Sequence, residues 1–217
     1  MTRLAFLGDA ALLLEVEGTD LLSMNADVHR LASIIVAAHV AGVRDVVPAM
    51  TTVTVHIDPL RTDVSALQRL VRAHDLETPA MYAEAPARLV EIAVSYGGDD
   101  GPDLGEVAHA TGLTQQEVIA RHAAGEYRVC YLGFAPGFAY LGVVSDDLRM
   151  PRMSAPRVRV PAGSVALADL FTAVYPSESP GGWHVIGRTS VLLFDAGSAS
   201  PSRLLPGDRV RFVPSAS

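Results

Sequence analysis

Lysine is missing altogether from this 217-residue chain, and all seventeen basic residues are arginine. That absence excludes a Schiff-base nucleophile, a pyridoxal-phosphate attachment point and the lysine of a phosphate-binding loop. Cysteine occurs once, as Cys130, which leaves neither an internal disulfide nor a multi-cysteine metal site and points to the cytosol. Positive charge is outweighed: the net charge of -7 and the scattered acids give no footprint for nucleic acid. Long apolar runs are missing too. The longest, residues 31–43, is too short for a membrane span, contains His39 and reads as a buried helix. The N-terminus reaches Asp9 before it builds the apolar core of an export signal, so a cytoplasmic protein with no membrane partner is expected. Neither GxxxxGK[ST] nor GxGxxG occurs, and a bound nucleotide would need some other cradle.

What is present is a globular composition, 49% apolar and 19% charged, with enough chain for a substantial core. Residues 4–6 and 12–16 flank a Gly8-Asp9 turn, and Asn25 is a candidate cap for a helix that runs to Gly42. A strand at 51–57 and a helix at 62–74 follow, so the first eighty residues read as two strand–strand–helix units. The proline- and alanine-rich residues 78–86 mark a boundary, dividing the chain into domains 1–82 and 83–217. Beyond it come a strand at 88–95 and helices at 104–110 and 115–123, the second opened by a Thr114/Glu117 capping box. Strands are expected at 126–132, 157–160, 165–167, 191–194 and 209–213. With their glycine and proline turns they argue a closed β architecture.

Three stretches carry candidate chemistry. In residues 131–142, Pro136 and Gly137 set a tight turn that throws Phe134, Phe138 and Tyr140 into a stiff apolar wall, either a core corner or a ligand surface. The turn Val160-Pro161-Ala162-Gly163-Ser164 either aims N–H groups and the Ser164 hydroxyl at one anion or carbonyl, or is a plain hairpin. In Tyr175 to His184 the only tryptophan, Trp183, sits with Gly181, Gly182, Glu178 and His184. His184 is a candidate general base with Glu178 as its partner, and Arg188 a candidate anion ligand just beyond. Arg149, Arg152, Arg157 and Arg159 form the one basic cluster, a carboxylate or phosphate site if they do not simply face water. Cys130 reads as a buried inert thiol, and His122 either reaches the aromatic pocket or complements a helix dipole.

The blocks GFAPGFAYLG, VPAGSVALA, YPSESPGGWHVIGRT and PGDRVRFVP, in that order behind YGGDDGPDL and GLTQQEVIARH, resemble the KipI/PxpB family, also called allophanate hydrolase subunit 1. The resemblance is specific over residues 88–214 and more diffuse before them. It implies an α+β chain, with a small α/β N-terminal domain followed by a cyclophilin-like β-barrel. It also implies a KipA/PxpC-like second subunit and a PxpA-like subunit, which together form an ATP-dependent 5-oxoprolinase using ATP with Mg2+ shared across the subunits. Two other roles known in the family are a non-catalytic histidine-kinase inhibitor and a urea carboxyltransferase part, the latter implying a urea-like substrate. Carried onto this chain, the resemblance suggests that Phe134, Pro136, Gly137, Phe138, Tyr140, Gly163, Tyr175, Gly181, Gly182 and Trp183 surround a small lactam. Ser164, His184 and Arg188 would act on it. The chain departs from the family at Asp169-Leu170-Phe171, where two glycines and a glutamine are usual, so Asp169 or a neighbour is expected to replace the glutamine's contact.

Overall fold

Asp20, and not Asn25, starts the first helix. Its carboxylate accepts the Ser23 N–H at 2.7 Å, and the helix, α1, runs Leu21–Ala37. Asn25 is buried one turn inside and donates from its side-chain amide to the carbonyls of Ala49 and Met50, so the apparent cap ties the helix to a distant turn. Nor is residues 31–43 one helix: α1 stops at Ala37, His39 takes a left-handed φ of 46°, and Val43 begins a strand.

The computed structural model describes residues 2–76 and 87–215, and the chain forms two compact units, Met1–Pro86 and Ala87–Ser217. The expected boundary between residues 82 and 83 lies outside the described residues. In the first unit, strands β1 (Thr2–Leu7), β2 (Ala11–Val16), β3 (Val43–Pro48) and β4 (Thr52–Ile57) form an antiparallel sheet in the order β1-β2-β4-β3. Alternation buries Leu12, Leu14, Val53 and Val55 against Val28, Leu31 and Ile35 of α1 and against Leu67 and Val71 of α2 (Val64–Leu76). Along the chain the order strand, strand, helix thus occurs twice.

The second unit holds β5 (Leu89–Tyr96), α3 (Leu104–Thr111), α4 (Gln115–Ala124), β6 (Glu126–Leu132), β7 (Ala139–Gly142), β8 (Arg157–Val160), β9 (Ser164–Ala168), β10 (Phe171–Val174), β11 (Ser179–Gly181), β12 (His184–Arg188) and β13 (Arg209–Pro214). Seven strands close a barrel in the order β10-β7-β6-β13-β5-β12-β9, and β8 and β11 pair apart from it. The chain is therefore α+β with a closed barrel. The Thr114/Glu117 capping box opens α4 as expected. The strand expected at 191–194 does not form. The Val191 N–H bonds the Thr189 hydroxyl, and Leu193 is an apolar anchor for a loop that makes one isolated bridge, Phe194 to Ser202.

Alternation also sorts the barrel wall: Val165, Leu167 and Val174 belong to the inner core, while Ala166, Ala168, Ala173 and Tyr175 belong to a second cluster on the outer face. Inside, His122 is fully buried, with Nδ1 2.7 Å from the Tyr96 hydroxyl, Nε2 2.9 Å from the Thr172 hydroxyl and its ring stacked on Phe212. It is a core residue that neither reaches the aromatic loop nor serves the helix dipole. Burial pushes its pKa down to about 3. The unfolded chain therefore takes up a proton near pH 6.5 that the folded barrel refuses, so stability is intact above 6.5 and falls by up to about 1.4 kcal/mol per pH unit as pH drops toward 3. Urea unfolding followed by Trp183 fluorescence at pH 7 and pH 4.5 should show this slope, and His122→Gln should flatten it. An equal slope in both proteins would contradict the assignment. Cys130 is likewise buried, its thiol pushed up to about 11, as expected of an inert core cysteine.

Candidate functional site

Two consecutive turns build the loop between β6 and β7. The Ala135 N–H bonds the Gly133 carbonyl around Phe134, whose φ is 69°, a tight γ-turn that bulky residues seldom adopt. The Phe138 N–H then bonds the Ala135 carbonyl around Pro136 and Gly137, whose φ of 78° matches a type II turn. The result separates the rings. Phe134 is held outward at 60% exposure, whereas Phe138 is buried.

Around Phe138 the barrel register assembles a larger aromatic face. Tyr131 and Tyr140 are cross-strand partners and stack at 4.3 Å, and Phe171 of β10 meets both edge-on. Trp183 lies edge-on to Phe138 and Tyr140, and Tyr175 to Phe134 and Phe138. Gly142 and Gly181 make room, since a Cβ at the first would press on the Phe171 ring and one at the second on the Tyr175 hydroxyl. Neither Tyr131 nor Phe171 stood out in the sequence as a member of this wall. Phe171 stands where the family pattern has glutamine, while Asp169 lies exposed in the turn beside it with a φ of 52°.

Two arginines of the described residues act on this face: Arg157, which reaches Tyr175 but is held by Asp103, and Arg152. Arg152 is exposed, has no ion pair among the described residues, and lies close enough to Tyr140 and Tyr175 to oppose the rise in their pKa values. Burial is the larger effect on both, so both phenols stay protonated; Tyr140 is partly exposed and can donate outward, whereas Tyr175 is buried. Its companions in the basic cluster are committed: Arg149 to Asp146, Arg157 to Asp103 and Arg159 to Glu178. The site thus offers flat rings, the Tyr140 phenol and a guanidinium not held by an acid of the described residues, the complement of a small planar ring that carries a carboxylate.

The three residues expected to perform chemistry do not converge. Arg188 pairs with Ser164 at one end of β12, and His184 pairs with Leu167 at the other, four residues or about 13 Å away. His184 is buried and sends its Nε2 proton to the Pro151 carbonyl at 2.9 Å. Its Nδ1 is sealed, 4.0 Å from Glu106, and Glu178 is instead on Arg159. The Gly163 and Ser164 N–H groups are spent on the carbonyls of Tyr175 and Pro161, so this turn presents no free pair of donors. Gly182 is likewise internal, its carbonyl accepting the Met153 N–H.

Arg188 and Gly163 line a separate cleft of about 520 Å³ with Ser95, Asp100, Pro176 and Thr189. Gly163 has a φ of 81°, and a Cβ there would run into the Thr189 carbonyl, a backbone atom that cannot swing aside. Gly163→Ala is expected to cost about 2–4 kcal/mol in urea unfolding and to disturb the Arg188 end of β12. A loss under about 1 kcal/mol would show that the turn yields.

Residues 2–204 match the family model described as carboxyltransferase domain, subdomain C and D. The chain is 42% identical over 213 residues to the B-type subunit of 5-oxoprolinase from Escherichia coli O157:H7, covering 98% of this chain and 95% of that protein. It is 40% identical over 217 residues to the corresponding 5-oxoprolinase subunit from Bacillus subtilis (strain 168), covering 95% and 90%. Among solved structures, that of TTHA0988 superposes with a TM-score of 0.82 at 38% identity, over 96% of this chain but only 40% of the longer TTHA0988 chain.

Proposed function

Since the chain belongs to the carboxyltransferase domain family, subdomain C and D, we propose that it is the B-type subunit of a 5-oxoprolinase and that its aromatic face holds the lactam. The single observation that carries this reading at the site is Arg152, without an ion pair among the described residues, near protonated Tyr140 on a surface of Tyr131, Phe134, Tyr140 and Phe171 that buried Phe138, Tyr175 and Trp183 support from behind. The relatives that share the chain over nearly its full length bear the same subunit name.

5-Oxoproline is a five-membered lactam with one carboxylate. Its ring faces suit Phe134, Tyr140 and Phe171, its carboxylate suits Arg152, and its carbonyl oxygen suits a phenol donor. A lactam is a poor electrophile, and ATP supplies the activation. The carbonyl oxygen bonds to the terminal phosphorus as the bond to ADP breaks, and water adds to the activated carbon. Opening of the C–N bond leaves an acyl phosphate that a second water converts to glutamate and phosphate. Binding on rigid rings places the carbonyl, and exclusion of bulk water protects the intermediate. The described residues put no nucleophile on this face, so KipA/PxpC-like and PxpA-like subunits complete the site, with ATP and Mg2+ shared among them.

Reconstitution tests this. Purified chain and partner subunits with ATP should convert 5-oxoproline to glutamate, and omission of this chain should abolish turnover. Undiminished turnover without it would overturn the reading.

A further inference from the structure

We propose that the cleft beside the aromatic face is a polyphosphate site gripped by Arg188; that the occupant is the phosphoryl donor rests on the function proposed above. Among the described residues that line the cleft, Arg188 alone carries a positive charge. Its Nε donates to the Ala162 carbonyl at 3.2 Å, which fixes the plane of the guanidinium against the 161–163 turn. The two terminal nitrogens have no acid partner among the described residues, unlike those of Arg149, Arg157 and Arg159. A planar fork pre-set in this way suits a phosphate better than a mobile side chain does.

The surroundings favour a chain of phosphates over a single one. The volume of about 520 Å³ exceeds what one phosphate fills and lies in the range of pockets that take drug-sized ligands. Thr189 is buried, and its hydroxyl accepts the Val191 N–H while keeping a proton to donate inward. Ser95 and Ser190 add hydroxyls, and Pro176 and Val191 make an apolar flank. Asp100 also faces the cleft and would repel a bare anion, which suits a polyphosphate that arrives with a divalent cation. The cleft adjoins the aromatic face directly. Gly163 donates to the carbonyl of Tyr175, whose ring belongs to that face, and Pro176 next to it lines the cleft.

The test is calorimetric titration of the purified chain with magnesium tripolyphosphate, ATP and orthophosphate. Tripolyphosphate should bind more tightly than orthophosphate, and Arg188→Gln should weaken it at least about 10-fold with an unchanged melting temperature. Arg159→Gln, which removes the same charge elsewhere, should leave binding as it is. ATP binding tighter than tripolyphosphate identifies a nucleotide on the apolar flank, and equal affinities overturn that donor assignment while keeping the polyphosphate site. No binding at millimolar tripolyphosphate, or equal binding by Arg188→Gln, overturns the site itself. Because no turnover is involved, Arg188-dependent binding in a preparation that makes no glutamate would count against the proposed function and not against this site.

Discussion

Replacing Arg152 by alanine is expected to raise the KM of the reconstituted enzyme for 5-oxoproline about 10–100-fold, the loss of a charge-assisted contact worth about 2 kcal/mol. The residue is exposed and holds no ion pair among the described residues, so the melting temperature should stay within a degree or two of the parent. Arg152→Lys keeps the charge without the fork and should recover part of the affinity. Analogues that lack the carboxylate should bind the wild type and the alanine variant alike. An unchanged KM, or a loss confined to kcat, would remove Arg152 from the carboxylate and leave the aromatic face without its polar anchor.

Asp103→Asn is expected to destabilise the barrel unit by about 3–4 kcal/mol, the largest stability effect of any single change considered. The Asp103 carboxylate is buried and accepts the Val185 N–H at 2.6 Å and the Arg157 guanidinium at 2.7 Å, while its own N–H bonds the Val185 carbonyl. One residue thereby ties the start of α3 to β12 and to β8, and β8 helps cover the outer wall that carries the aromatic face. Asparagine removes the buried partner of Arg157, although the partial exposure of that arginine and the nearby Glu106 carboxylate moderate the cost. Urea unfolding followed by Trp183 reads this unit directly, because Trp183 is the only tryptophan. A shift below about 1 kcal/mol would mean that the pair is solvated in solution and that the fold does not depend on it.

Local rules made the elements visible in the sequence. The Thr114/Glu117 box, the type II corner at Pro136-Gly137 and the alternation in 52–57 and 209–213 are short-range signals, and the structure carries all of them. Composition did not reveal pairing. Tyr131 meets Tyr140, and Phe171 reaches both, only through the barrel register. Arg152 looked like its three neighbours until the ion pairs of Arg149, Arg157 and Arg159 singled it out. The family resemblance set Ser164, His184 and Arg188 to work on one lactam, whereas β12 separates His184 from the other two along its length. The family resemblance pointed to the aromatic loop and the barrel, yet its glutamine position is Phe171 here, a ring that enlarges the face where a hydrogen bond was expected.

A crystal structure of the reconstituted complex with 5-oxoproline tests the central claim most directly. The lactam should lie on Tyr140 and Phe171 with its carboxylate on Arg152, and Phe134 should close over its edge. Density for the lactam beside His184, or on another subunit with the aromatic face left to solvent, would contradict the account.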